Sequence, residues 1–274
     1  SLRSLAPVAP AAPLALAACL LLAPAGCGRR QHFEVERLDE LGYPTCADGS
    51  ERAAPEVLAE RRMRSGRDDT RGVLFEQLRV ERRGCLRAFT VRQATATQIA
   101  DVEAVFDEGL LPLRLWRRFA APRPGAPPAL DLKRFDFRTP ELGVKHRSER
   151  GRVDYEVLRG KGGVRPRAII GPGRGLLTAW LWRAKLGVGQ KLRERALDFR
   201  AIEVLRDVTL MRHEDRDDPA LGRRVRVYTI YGREPFFADE NDVVLGDLAG
   251  LLPAGGEPLP PLPELEAADP VGTP

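Results

Sequence analysis

The sequence predicts a mainly β fold of the α+β class: a curved antiparallel sheet or half-barrel with one or two packed helices. Three observations predict it. From residue 73 onward, short runs of alternating apolar and charged residues recur, separated by glycine-rich breaks. The breaks are too short for helical crossovers, which favours antiparallel pairing. Late in the chain, one stripe of apolar residues changes to helical spacing.

The elements follow in order. Residues 27–72 form a polar, turn-rich N-terminal segment, in which Ala54-Pro55-Glu56 opens a short helix, since proline suits the first helical position and glutamate the first turn. Val73 to Arg82 reads as a strand, with Leu74, Leu78 and Val80 on one parity. Gly84 breaks it, and Leu86 to Arg92 follows with Phe89 and Val91 on one face, making a hairpin with Cys85 at its turn. Thr95-Ala96-Thr97-Gln98 has the form of a capping box, and Ile99, Val102, Val105 and Phe106 continue at helical spacing, predicting a helix over 96–108. Leu111 to Phe119 is extended again, and Pro122 to Pro128 is a surface loop, either a linker or a long hairpin loop. Strands are then expected at Leu132–Arg138, with Phe135 and Phe137 on one face, at Gly143–Glu149, at Arg152–Arg159 and at Arg167–Ile170.

Gly171-Pro172-Gly173-Arg174-Gly175 punctuates the chain before the helical stripe Leu176, Leu177, Trp180, Leu181 and Ala184, which Gly187 and Gly189 end. Lys191–Phe199, Ile202–Met211, Arg223–Tyr231 and Asp242–Leu248 complete a β-rich domain over 73–252. From Pro253, seven prolines in the last 22 residues predict a disordered or extended tail over 253–274.

The first 26 residues carry a different signal. Arg3 precedes an apolar Ala- and Leu-rich run that ends at Ala25-Gly26-Cys27, followed by Gly28-Arg29-Arg30. Plain secretion needs a charged start, an apolar run and small residues at a cleavage site. A membrane anchor needs about 20 apolar residues, but Pro7, Pro10, Pro13 and Pro24 interrupt the run. With a cysteine at its border, the segment resembles a bacterial lipoprotein signal peptide. That resemblance implies removal of the leader and acylation of a cysteine thiol, so that acyl chains hold the protein to a membrane. Leu16-Ala17-Ala18-Cys19 fits the family motif better at the position three before the cysteine, but cleavage there leaves Leu20, Leu21 and Leu22 on the mature chain. Cys27 is therefore the expected lipidation site, with Cys19 the alternative. Gly28, which is not Asp, implies the periplasmic face of the outer membrane.

With Cys19 removed and Cys27 acylated, Cys46 and Cys85 remain of the four cysteines. In an oxidising compartment they read as one disulfide, against the alternative of two separate buried thiols.

The net charge of +5 comes from 44 basic and 39 acidic residues that are interleaved, as in Arg212-His213-Glu214-Asp215-Arg216. The densest basic run, Arg114-Leu115-Trp116-Arg117-Arg118-Phe119, interleaves aromatics but also reads as a strand with a charged outer face. No nucleic-acid partner is expected.

Catalytic patterns are missing. Ser50, Ser65 and Ser148 sit in no G-x-S-x-G, and His32, His146 and His213 are scattered, with no H-E-x-x-H. There is no C-x-x-C and no metal-ligand spacing, so neither metal nor cofactor is expected. Gly171–Gly175 with Arg174 could hold an anion at the following helix N-terminus, but reads first as a tight turn. Asp239-Glu240-Asn241-Asp242 suits calcium chemically but lacks an EF-hand order and reads as a solvated loop. Trp116, Trp180, Trp182, Tyr228, Phe236 and Phe237 could line an apolar cavity or pack a core. Trp182 falls off the helix's apolar stripe and is the candidate for a rim or partner contact.

The order of elements over roughly 70–250 resembles the half-barrel envelope carriers of the LolA and LolB type, in which a sheet wraps a helix and leaves an apolar concave face. That resemblance implies a non-catalytic binding or assembly module for a lipid or other apolar ligand, or for an envelope protein. An envelope enzyme acting on lipid, sugar or peptide is the alternative, and would show polar groups converging in a cleft.

Overall fold

The computed structural model describes residues 42–65, 75–94, 99–123, 126–138, 141–147, 153–159, 165–199, 201, 203–219, 222–230, 235–247 and 251–253. The leader with Cys19 and Cys27, His32, Thr95–Gln98, Ser148 and the tail after residue 253 lie outside the described residues.

Eight strands run in chain order: β1 (Glu56–Ser65), β2 (Phe75–Arg83), β3 (Leu86–Ala94), β4 (Ile99–Phe106), β5 (Pro112–Arg123), β6 (Ala126–Asp136), β7 (Glu141–Arg147) and β8 (Val153–Arg159). Each pairs antiparallel with the next, and β16 (Leu251–Pro253) adds to β1 to give a nine-stranded sheet. Alternation sets its two faces. Leu78 and Val80, Phe89 and Val91, Val102 and Ala104, Leu115, and Phe135 and Phe137 form one buried concave layer. This is the mainly β, curved architecture expected from the sequence.

A second sheet follows. After β9 (Ala168–Ile170), the chain forms a 3-10 turn at Arg174–Leu176 and then helix α1 (Leu177–Ala184). β10 (Lys191–Asp198), β11 (Glu203–Arg212), β12 (Arg216–Asp218), β13 (Arg223–Ile230), β14 (Phe236–Ala238) and β15 (Val244–Asp247) complete it. The strand order is β15-β14-β13-β11-β10-β9, with β12 paired to β13.

Helix α1 lies between the sheets, and its spacing explains how. Leu176, Ala179 and Trp182 pack with the concave layer of the first sheet, while Leu177, Trp180, Leu181 and Ala184 pack against Ala196, Val208, Leu210 and Tyr228 of the second. The helix is therefore apolar on two flanks. It ends at Lys185, which takes a left-handed conformation and donates its N–H to the Leu181 carbonyl.

Four expectations are corrected. Residues 99–106 form β4, a strand and not a helix. Seven of its eight residues are buried, because Ala100, Val102 and Ala104 face the concave core while Val105 lies under the N-terminal loop against Cys46 and Leu86. A strand covered on both faces reads as a continuous apolar run and mimics helical spacing. Glu56 starts β1 and not a helix, because the segment pairs with β2 through Arg64↔Phe75. Pro122–Pro128 is not a long loop, since β5 and β6 stay paired out to Arg123↔Ala126. Finally, β9 and β10 are parallel and joined through α1, a crossover within a sheet that is otherwise antiparallel.

Candidate functional site

The glycine-rich turn before α1 was the sequence's best anion cradle. The structure fills it with the protein's own carboxylate. Glu76 is fully buried on β2, on the same parity as Leu78 and Val80. Its Oε1 accepts the Gly175 N–H at 2.8 Å, and its Oε2 accepts the Arg174 N–H at 3.3 Å and the Gln93 side-chain amide at 2.9 Å. Two glycines are needed for close approach. A Cβ on Gly173 would lie 2.4 Å from Val91 Cγ1, and one on Gly175 would lie 3.0 Å from Leu78 Cδ1. The turn is a clamp that seats α1 on the first sheet. Sequence reasoning missed Glu76, although a carboxylate on a strand's apolar parity is itself a signal of a buried, hydrogen-bonded role.

The acidic cluster before β15 is also structural. Asp239 is fully buried, accepts the N–H groups of Asn241 and Val243 at 2.9 Å each, and pairs with Arg61 at 2.6 Å. Asp242 accepts the Tyr228 hydroxyl at 2.6 Å and pairs with Arg226 at 2.8 Å. Burial, with the Asp242 carboxylate, pushes the Tyr228 phenol above its ordinary range. Among the described residues, no group of three or more His, Cys, Asp or Glu could hold a metal ion.

Arg183, on the last turn of α1, ties the layers together. It donates to the carbonyls of Leu110 and Arg167 and pairs with the buried Glu194. Burial lowers its affinity for a proton, and the Glu194 carboxylate partly restores it.

The tryptophans separate. Trp180 is buried among the second-sheet core. Trp182 is half-buried at the edge of the first-sheet core, where it packs edge-on against Phe89 at 5.8 Å and its indole N–H donates to the Asn241 carbonyl at 2.8 Å. The second flank of the helix, invisible when a single stripe is sought, explains the difference. Tyr228 stacks on Phe236 at 5.7 Å in the core, and Phe237 lies on the outer face of the second sheet beneath the Arg216 guanidinium at 4.3 Å.

His213 Nε2 lies 2.9 Å from Thr229 Oγ1 at an open cleft of about 460 Å³, which Glu214, Arg216, Val227 and Pro235 also line. Arg216 is paired there with Asp218 at 2.9 Å. His146 lies on β7, paired in register with Lys133 and Asp154.

The basic run on β5 divides by parity. Arg117 joins the concave side, where its guanidinium lies over Phe119 at 4.8 Å and Phe199 at 5.4 Å. Arg114 and Arg118 lie on the opposite face and flank Trp116, at 5.7 and 5.0 Å from its ring. Arg114 also covers Tyr43 at 5.4 Å. Burial, with the nearby Glu103 carboxylate, pushes the Tyr43 phenol up to about 12.

On the same outer face, Cys46 and Cys85 form the expected disulfide, 39 residues apart. It pins the N-terminal loop over Leu86 and Val105, with Tyr43 and Leu113 packed alongside.

No family model and no curated protein matches the chain. Among solved structures, the chain is similar to a DUF1089 family protein from Pseudomonas aeruginosa, with 15% sequence identity, a TM-score of 0.33, and coverage of 75% of this chain and 95% of that one. No helix among the described residues is long and apolar enough to cross a membrane.

Proposed function

We propose that this chain is an exported lipoprotein, held to a membrane by acyl chains on Cys27, with Cys19 the alternative site, and that its β-rich body is a non-catalytic binding or assembly module. The observation that carries the export reading is the Cys46–Cys85 disulfide. It joins the two cysteines that remain once Cys19 has left with the leader and Cys27 has been acylated. Disulfides of this kind persist in oxidising compartments.

Binding is favoured over catalysis by what the buried carboxylates do. Glu76 caps a turn, Asp239 shapes a loop, Asp136 pairs with Arg138 at 2.6 Å and Glu194 pairs with Arg183. Each holds the fold, whereas the open cleft beside His213 is lined by Glu214 and Arg216 and is where the enzyme alternative would act.

The apolar layer of the first sheet, which includes Phe135 of β6 and the following Phe137, shares one core with Leu176, Ala179 and Trp182. β7 and β8 extend that sheet beyond β6 and pair only with β6 and each other among the described elements.

The test is native mass spectrometry of the protein purified from membranes. A retained lipid is the expected result. A ligand-free protein that gains no mass when offered membrane lipid extract contradicts the carrier reading.

A further inference from the structure

We propose that Cys85 is the reactive sulfur of the Cys46–Cys85 bridge: a small thiol exchanges with the folded protein there, Cys46 leaves as the thiolate, and the N-terminal loop is left held by noncovalent contacts alone. This reading goes beyond the export proposal and stands on the folded body by itself.

The two ends of the bridge are unequal. Cys46 is 8% exposed and sits in a small core with Leu86 and Val105, whereas Cys85 is half-buried at its edge, next to the hairpin turn at Gly84. Exchange requires a thiolate to reach a sulfur, so access selects between them. Charge acts in the same direction. The Arg87 guanidinium donates to the carbonyls of Gly84 and Leu86, the two neighbours of Cys85, at 3.3 and 3.2 Å. A cation there favours an approaching anion. At the other end, the Glu51 carboxylate accepts the Cys46 N–H at 2.9 Å and repels a thiolate from that side.

The departing sulfur is also prepared. The Cys85 N–H donates to Cys46 Sγ at 3.1 Å. A donor on the sulfur stabilises the charge that gathers there as the S–S bond breaks, and a better-stabilised thiolate leaves faster. Glu51 opposes that charge, but it touches the Cys46 backbone, while the Cys85 N–H touches the sulfur itself. In the step, the reagent thiolate bonds to Cys85 Sγ, the bond between the two cysteine sulfurs breaks, and its electron pair stays on Cys46, which then takes a proton from water. One disulfide is consumed and one is formed, with no net oxidation. The loop keeps its seat on the hairpin turn, where Ser50 lies so close that a Cβ on Gly84 would come within 2.2 Å of its Oγ. Cys46 is thereby kept near Cys85 and can attack it again, so the opened form must be trapped to be seen.

The test exposes the folded protein to reduced glutathione in the presence of N-ethylmaleimide added after a short delay, so that each freed thiol is capped before a second glutathione arrives. Peptide mass spectrometry without reduction then maps both cysteines. A severalfold excess of glutathione on Cys85, with maleimide on Cys46, is expected. The excess should shrink in urea, where the burial of Cys46 and the N–H contact to its sulfur are gone. Equal labelling in the folded protein, an excess on Cys46, or an excess on Cys85 that is as large in urea overturns the proposal. So does a bridge that glutathione opens only in urea.

Discussion

Replacing Glu76 tests whether the turn before α1 is a clamp. Its carboxylate receives three donors: the Gly175 N–H at 2.8 Å, the Gln93 amide at 2.9 Å and the Arg174 N–H at 3.3 Å. Gln93 has a second acceptor in the Pro172 carbonyl at 3.3 Å, so the two backbone donors dominate the loss. A buried donor left without an acceptor costs about 1–3 kcal/mol. Glu76→Ala should therefore destabilise the protein by about 3 kcal/mol. Glu76→Gln retains one oxygen for Gly175 but turns an NH2 toward Arg174, and should cost about 1–2 kcal/mol. The assay is urea unfolding followed by tryptophan fluorescence, since Trp180 and Trp182 sit on α1 just after the turn. A Glu76→Ala variant within about 0.5 kcal/mol of the parent would refute the reasoning, since surface changes of no consequence fall in that range. A glutamine variant weaker than the alanine variant would refute it as well.

Three further predictions follow from the same structure. Breaking the Cys46–Cys85 bridge by a double change to serine should cost about 4 kcal/mol, from the chain entropy of a loop of this length; an unchanged urea midpoint contradicts it. Gly173→Ala drives a methyl into Val91 and should cost about 1–3 kcal/mol. Gly189→Ala meets only the strain of φ +77° in open space and should cost about 1 kcal/mol, so a reversed order of melting temperatures contradicts the packing account. Tyr43 stays protonated in the fold to about pH 12, whereas in the unfolded chain the phenol ionises near its ordinary value of 10. Its contribution to stability is thus complete below pH 10 and declines as pH rises from there through about 12. Ultraviolet phenolate titration should show a late-ionising tyrosine that Tyr43→Phe removes.

The mainly β class was legible because most strands alternate cleanly, as in β2 with Leu78 and Val80 inward, and at the end of β6 with Phe135 and the following Phe137 inward. The hairpin turn at Gly84 was legible because the position requires a positive φ of 56°. β4 was not, because burial on both faces erases the alternation. The packing of Trp182 on Phe89 was hidden for a similar reason on a helix: α1 is covered on two flanks, and a single stripe describes one. The candidate site divides along similar lines. The disulfide pair followed from cysteine arithmetic, and the two faces of the Arg114–Phe119 run follow from strand parity. Glu76 and Asp239 could not be read as caps, because the donors they satisfy come from segments 98 residues away in one case and from their own loop in the other.

The central claim is that this body is exported and held to a membrane by its N-terminal cysteine. The most direct measurement is intact and peptide mass spectrometry of the protein from the membrane fraction of cells expressing the full chain. The account predicts a polypeptide that begins at Cys27, carries a diacylglyceryl thioether, and shows Cys46 and Cys85 joined until reduction. A chain that retains the leader, or that begins with an unmodified thiol, contradicts it.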